Sequence, residues 1–132
     1  MNPSIVEAFE PLFYPQSIAV IGASAEPAKF GNIILSAIME IGYEGKIYPV
    51  NTEGGEINGL KAYKSMKEIP GKVDFVILTI PAPTVNGTLE ECLIKGVKGA
   101  EILTSGFRET GTPEGKRLMQ RLFHLKQSGR LI

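Results

Sequence analysis

Four short apolar runs constrain this chain more than any other feature: Ile18 to Ile21, Ile47 to Val50, Val73 to Ile80, and Ala100 to Leu103. They are nearly continuous rather than alternating. Strands of that kind are covered on both faces, which is the condition of a parallel sheet. Amphipathic stripes separate them. Ile34, Ile38 and Ile41 recur at helical spacing after Gly31, with Gly42 as the stop. Val85, Leu89, Cys92 and Leu93 do so after Pro83, with Gly96 as the stop. Leu118, Leu122 and Leu125 follow Thr112-Pro113, a fitting N-cap and first helical residue, and Gly129 closes that helix. Strand, helix, strand, repeated, predicts an α/β domain with right-handed crossovers and helices on both faces of a mainly parallel sheet.

The connection from Val50 to Val73 is the irregular one. Residues 58–63, NGLKAY, read as a short edge strand, and 64–69, KSMKEI, as one helical turn. That length lets the chain return and lay the third strand beside the first, opposite the second. The topological switch point then falls between Gly22 and Pro81, where open α/β sheets bind their ligands. Residues 1–16 form a lead-in, with Ile5, Phe9 and Leu12 on one helical face before Pro15. The tail Gly129-Arg130-Leu131-Ile132 reads as the opening of a fifth strand, so the chain is expected to be one domain cut from a longer protein.

With 132 residues the chain suffices for one core. Fourteen basic and fourteen acidic residues cancel, which argues against nucleic acid or an anionic membrane as a partner. No apolar run nears the roughly 20 residues of a membrane-spanning helix. The N-terminus lacks the basic start of a secretory signal, and the single cysteine precludes an internal disulfide. A cytoplasmic location is expected.

The first strand runs into Gly22-Ala23-Ser24, and seven residues later Gly31 opens a helix. Gly22 permits a tight turn, Ser24 offers a hydroxyl and an amide, and the free amides at Gly31-Asn32 attract a phosphate. Lys29 adds a charge. The dinucleotide fingerprint needs glycine where Ser24 stands and an acid where the second strand ends in Val50-Asn51; both positions fail. The string of a nucleoside-triphosphate P-loop is absent. A nicotinamide-binding domain is therefore the weaker alternative, and an unliganded strand-to-helix turn stays open from this loop alone. At the third strand's end, Pro81-Ala82-Pro83 makes a stiff apolar wall, or simply starts the next helix.

Four motifs stand in register: GAS followed by Lys29 and Gly31, YPVN at 48–51, VILTIPA at 76–82, and TSGFRE at 104–109. From about Ser17 to the last residue the chain resembles the N-terminal CoA-binding domain of ADP-forming acyl-CoA synthetases, relatives of the succinyl-CoA synthetase alpha subunit. The resemblance implies a Rossmann-like, doubly wound α/β fold and coenzyme A as the cofactor. It implies that Gly22, Ala23, Ser24, Lys29, Phe30, Gly31 and Asn32 hold phosphate. Val50 and Asn51 would border the adenosine, and Ile80, Pro81, Ala82 and Pro83 the pantetheine arm. Thr104, Ser105 and Gly106 would lie near its thiol end. A bulky replacement at Gly31 is expected to weaken the ligand without unfolding the chain.

The chain departs from the family where V-N-P is usual and a base often follows. Here Thr52 and Glu53 follow Asn51, and no base appears before Lys61. Either the ligand binds more weakly, or Lys29 or Lys46 supplies that charge. The resemblance also implies partners: further synthetase domains, or a beta subunit with a nucleotide-grasp fold, and a phosphohistidine carried elsewhere. His124 falls on a helical face with Arg117, Gln120 and Ser128, so it reads as solvated rather than catalytic, and Cys92 as a core thiol. The fragment alone is expected to bind coenzyme A and catalyse nothing. The alternative within the same ligand class is a CoA-binding module of a fused acetyltransferase or a CoA sensor.

Overall fold

A computed structural model describes residues 4–127. One parallel sheet carries the domain, built from β1 (Ser17–Ile21), β2 (Lys46–Val50), β5 (Phe75–Leu78) and β6 (Gly99–Ile102). The order of its four strands is β2-β1-β5-β6. β1 pairs with β2 in the register Ser17 to Lys46 through Ile21 to Val50, and with β5 from Ile18 to Phe75 through Ile21 to Leu78. The third apolar run thus lies beside the first, opposite the second, and the switch point stands at the carboxyl ends of β1, β2 and β5.

Strand alternation divides the core into two layers. Ala19, Ile21, Val76 and Leu78 face one way, onto Val85, Leu89 and Cys92 of α3 (Ala82–Lys95) and Leu118 of α4 (Pro113–Gln127). Ile18, Val20 and Ile77 face the other, onto Leu35 and Ile38 of α2 (Phe30–Glu40). Val20, Leu35, Val76, Leu78 and Val85 have no exposed surface. Each such aliphatic stabilises the fold by about 1.5–3 kcal/mol through burial.

Three sequence expectations shift. The buried stripe of α2 runs through Gly31, Leu35 and Ile38, whereas Ile41 is its C-cap and 79% exposed. Placing Gly31 against the sheet rotates the helix, so Ile34 is only partly buried. The lead-in helix α1 (Ile5–Phe13) does form, with Ser4 and Glu7 closing a reciprocal capping box, yet none of its residues is fully buried. Of the expected face only Leu12 docks: its side chain fills the space that a Cβ at Gly99 would need. Finally, the edge strand is a separate antiparallel hairpin of β3 (Glu56–Ile57) and β4 (Leu60–Lys61), turning at Asn58-Gly59 with φ +51° and +81°. Asn-Gly is the residue pair that a two-residue hairpin turn favours. A 3-10 turn at Met66–Glu68 stands where one helical turn was expected. The closing glycine at 129 and the fifth strand lie outside the described residues.

Candidate functional site

A cleft of about 770 Å³ opens at the carboxyl ends of β1, β2 and β5. Its floor is the turn after β1. Gly22 holds φ +96°, and a Cβ there would stand 3.0 Å from the Thr79 carbonyl oxygen. The Gly22 and Ala23 amides donate to the Val50 carbonyl at 2.9 and 3.1 Å, which ties the turn to β2. Ser24 Oγ accepts from the Glu26 amide at 3.1 Å and fixes the outgoing loop. At the helix end, Lys29 is the N-cap of α2 and makes no side-chain cap. The amides of Phe30 and Gly31 have no protein acceptor among the described residues. A helix N-terminus with free donors, set against a turn that opens on glycine, is a seat for an anion.

Gly31 is the tightest point. A Cβ on it would overlap the Gly22 carbonyl oxygen and lie 2.8 Å from that carbonyl's carbon. The expectation of a clean ligand-side effect at Gly31 is therefore corrected: any side chain there first pushes α2 off the cradle, and stability falls along with affinity.

Of the residues singled out from sequence, Gly22, Ala23, Ser24, Lys29, Phe30, Gly31, Val50, Asn51, Ile80 and Pro81 line the cleft. Asn32, Ala82, Pro83, Thr104, Ser105 and Gly106 do not, and the hydrogen bonds and packing give the reasons. Asn32 turns inward: its Nδ2 donates to the Ser24 carbonyl at 2.7 Å and to Asn58 Oδ1 at 3.1 Å. It shapes the cradle from behind. Ala82 is buried against Gly106, where a Cβ would come within 3.0 Å. Pro83 is exposed in the first turn of α3, the helix-starting alternative for that proline. Thr104 Oγ1 donates to the Ile80 carbonyl at 2.7 Å and braces the segment that follows β5. Phe107 is buried.

Several cleft residues escaped sequence reasoning. Thr84, Thr88 and Glu91 line one wall from α3. Their spacing of four and three residues, offset from Val85, Leu89 and Cys92, was the available signal. Thr52, Glu53, Lys64, Ser65 and Met66 come from the irregular connection. The Asn51 amide donates to the Tyr63 carbonyl at 2.9 Å, which carries Lys64 to the end of β2; no local pattern announces such a pairing. Asn51 Oδ1 accepts from the Glu53 and Gly54 amides and holds that loop shut.

Beyond the cleft, Glu109 accepts from the Gly106 and Phe107 amides at 2.5 and 3.0 Å, and those bonds hold its carboxyl below the ordinary glutamate range. Burial, reinforced by Glu91, pushes the Cys92 thiol up to about 12. His124 lies on the exposed face of α4, as the helical wheel suggested.

The cleft thus brings together amides without a protein acceptor among the described residues, a lysine, and the apolar pair Ile80 and Pro81. A model of the CoA binding domain matches residues 16–118. The chain belongs to the CoA-binding domain family. Over 119 residues, 87% of its length, it is 54% identical to subunit alpha of the ADP-forming acetate–CoA ligase I of Pyrococcus furiosus, and it covers 26% of that protein. Over 110 residues it is 39% identical to the ADP-forming 4-hydroxybutyrate–CoA ligase of Nitrosopumilus maritimus and covers 16% of it. The structure of acetyl-coenzyme A synthetase 1 from Ca. Korarchaeum cryptofilum, solved with phosphate and ADP, matches with a TM-score of 0.86 at 38% identity; 93% of this chain and 26% of that one are covered. The chain thus spans about a quarter or less of these relatives. The expected Rossmann-like fold and the coenzyme A ligand both stand. Among the described residues no helix is long and apolar enough to cross a membrane.

Proposed function

We propose that this domain holds coenzyme A for an ADP-forming acyl-CoA ligase. The ligase joins an acid's carboxyl to the CoA sulfur as a thioester, while a nucleoside triphosphate becomes the diphosphate and inorganic phosphate. The observation that carries this reading is the cradle. Gly22 and Gly31 let turn and helix end meet closely, and the amides of Phe30 and Gly31, without a protein acceptor among the described residues, are left to receive an anion. In this reading Gly22, Ala23, Ser24, Lys29, Phe30 and Gly31 hold the diphosphate. Val50 and Asn51 border the adenosine, and Ile80 and Pro81 guide the pantetheine arm. Thr104, Ser105 and Gly106 do not line the cleft, and in this reading they stand near the thiol end of the arm, with Thr104 bonded to the Ile80 carbonyl. Asn32, Ala82 and Pro83 support these contacts rather than make them.

The unit 1–132 acts as one CoA-binding domain. Further synthetase domains, or a beta subunit with a nucleotide-grasp fold, supply the phosphoryl chemistry in the cytoplasm. The similar ligases act on acids as different as acetate and 4-hydroxybutyrate. Choice of acid therefore belongs to the rest of the enzyme. Calorimetric titration with coenzyme A, desulfo-CoA and NAD tests the assignment. Coenzyme A and desulfo-CoA are expected to bind alike, since the groups recognised here are the nucleotide and the arm, and NAD is expected not to compete. Equal binding of NAD, or no heat with coenzyme A, refutes it.

A further inference from the structure

Coenzyme A carries two anionic groups, a diphosphate and a monophosphate on the ribose 3′ carbon. The cleft has two lysines to meet them. Lys29 occupies the N-cap position of α2, beside the diphosphate cradle, with its side chain making no cap. Lys64 lines the cleft from the connection that closes on the end of β2. Its side-chain stem lies across Gly54, with Cγ and Cε both 3.3 Å from where a Cβ would stand. Its amide is anchored on Glu68 Oε2 at 2.9 Å, and its preceding residue, Tyr63, is bonded to β2 through Pro49 and Asn51. Among the described residues the Lys64 ammonium takes part in no ion pair.

The other bases near the adenosine side are engaged or remote. Lys46 opens β2 at the end opposite Val50. Four residue steps of a strand put it about 13 Å from the cleft. The expectation that Lys46 could substitute for the missing loop base is thereby corrected. Lys61 lies over the Tyr63 ring, 5.2 Å from its centroid, and does not line the cleft. Glu53 does line it, on the same loop. A phosphate arriving there unpaired would be repelled, so a cation at that edge is required.

We propose that Lys64 receives the ribose 3′-phosphate, and so makes this domain select coenzyme A over 3′-dephospho-CoA. The assignment rests on the coenzyme A reading above and adds the residue that reads the third phosphate. Titrating wild type, Lys64→Met, Lys64→Arg and Lys29→Met with both nucleotides tests it. Wild type is expected to prefer coenzyme A by about tenfold or more, the size of one charge-assisted hydrogen bond. Lys64→Met loses that factor for coenzyme A and nothing for dephospho-CoA, so the preference vanishes. Lys64→Arg retains it. Lys29→Met weakens both nucleotides equally. Thermal melts check that each variant is folded; the methionine keeps the stem over Gly54 and the amide bond to Glu68. A preference that survives Lys64→Met, or an equal loss for both nucleotides, overturns the Lys64 assignment alone. Failure of wild type to bind either nucleotide overturns the coenzyme A reading and this inference with it.

Discussion

Replacing Gly31 by alanine adds one methyl group at the joint between α2 and the cradle. The new carbon would lie 2.8 Å from the Gly22 carbonyl carbon and 3.1 Å from the Ala23 Cα. Carbon atoms settle at about 3.5–4.0 Å, so the helix end must retreat by roughly 1 Å. The Asn32 bond to the Ser24 carbonyl, now 2.7 Å, then stretches beyond hydrogen-bond range. Asn32 is buried, and stranding a buried polar group costs about 1–3 kcal/mol, with overpacking adding about 1–3 kcal/mol. Alanine's better helix propensity returns roughly 0.5–1 kcal/mol. The net expectation is a loss of about 3 kcal/mol, which for a domain of this size lowers Tm by roughly 10 °C. Coenzyme A affinity falls with it, because the Phe30 and Gly31 amides move with the helix. Differential scanning calorimetry and titration read the two effects. Gly87→Ala is the internal control: it is helical, exposed, and a Cβ there meets nothing within 4 Å. The same chemical change should there stabilise by about 0.5–1 kcal/mol and raise Tm. A Gly31→Ala protein that melts and binds like wild type would refute the close approach of helix and turn.

Two further outcomes follow from the titrating groups. Cys92 has no exposed surface and its thiol is pushed up to about 12, so a thiol reagent at pH 8 should label it only after denaturation; rapid labelling of the native chain would contradict its place in the core. Glu109 is held below the ordinary glutamate range by the Gly106 and Phe107 amides, so its contribution is complete above that range and is lost as pH falls through its lowered native value. Glu109→Gln should therefore flatten the acid side of a Tm-against-pH profile below the ordinary glutamate range, and an unchanged acid limb would show that the loop does not depend on the carboxylate.

What the sequence disclosed and what it hid divide along a physical line. The parallel sheet was legible because each run is apolar throughout, as strands covered on both faces must be; which residues face which layer, Ala19 and Ile21 against Ile18 and Val20, only the structure shows. The cradle was legible because a turn and a helix end need glycine at fixed spacing. The face of α2 was legible only in part: Ile38 is buried and Ile34 partly so, but Leu35 joins them and Ile41 is exposed. The close approach of Gly31 to Gly22 sets that rotation. Lys64 was invisible for a different reason. Its place depends on a pairing across the irregular connection, Tyr63 with Pro49 and Asn51, which no local pattern encodes. The sequence had marked a deficit without fixing its remedy: with Thr52 and Glu53 standing where a base was expected, either the ligand binds more weakly or Lys29 or Lys46 substitutes. Lys64, thirteen positions beyond Asn51, was not among those candidates, although it lines the same cleft as Glu53. A charge missing from a local motif can therefore be looked for only once the fold shows which distant segments share its cleft.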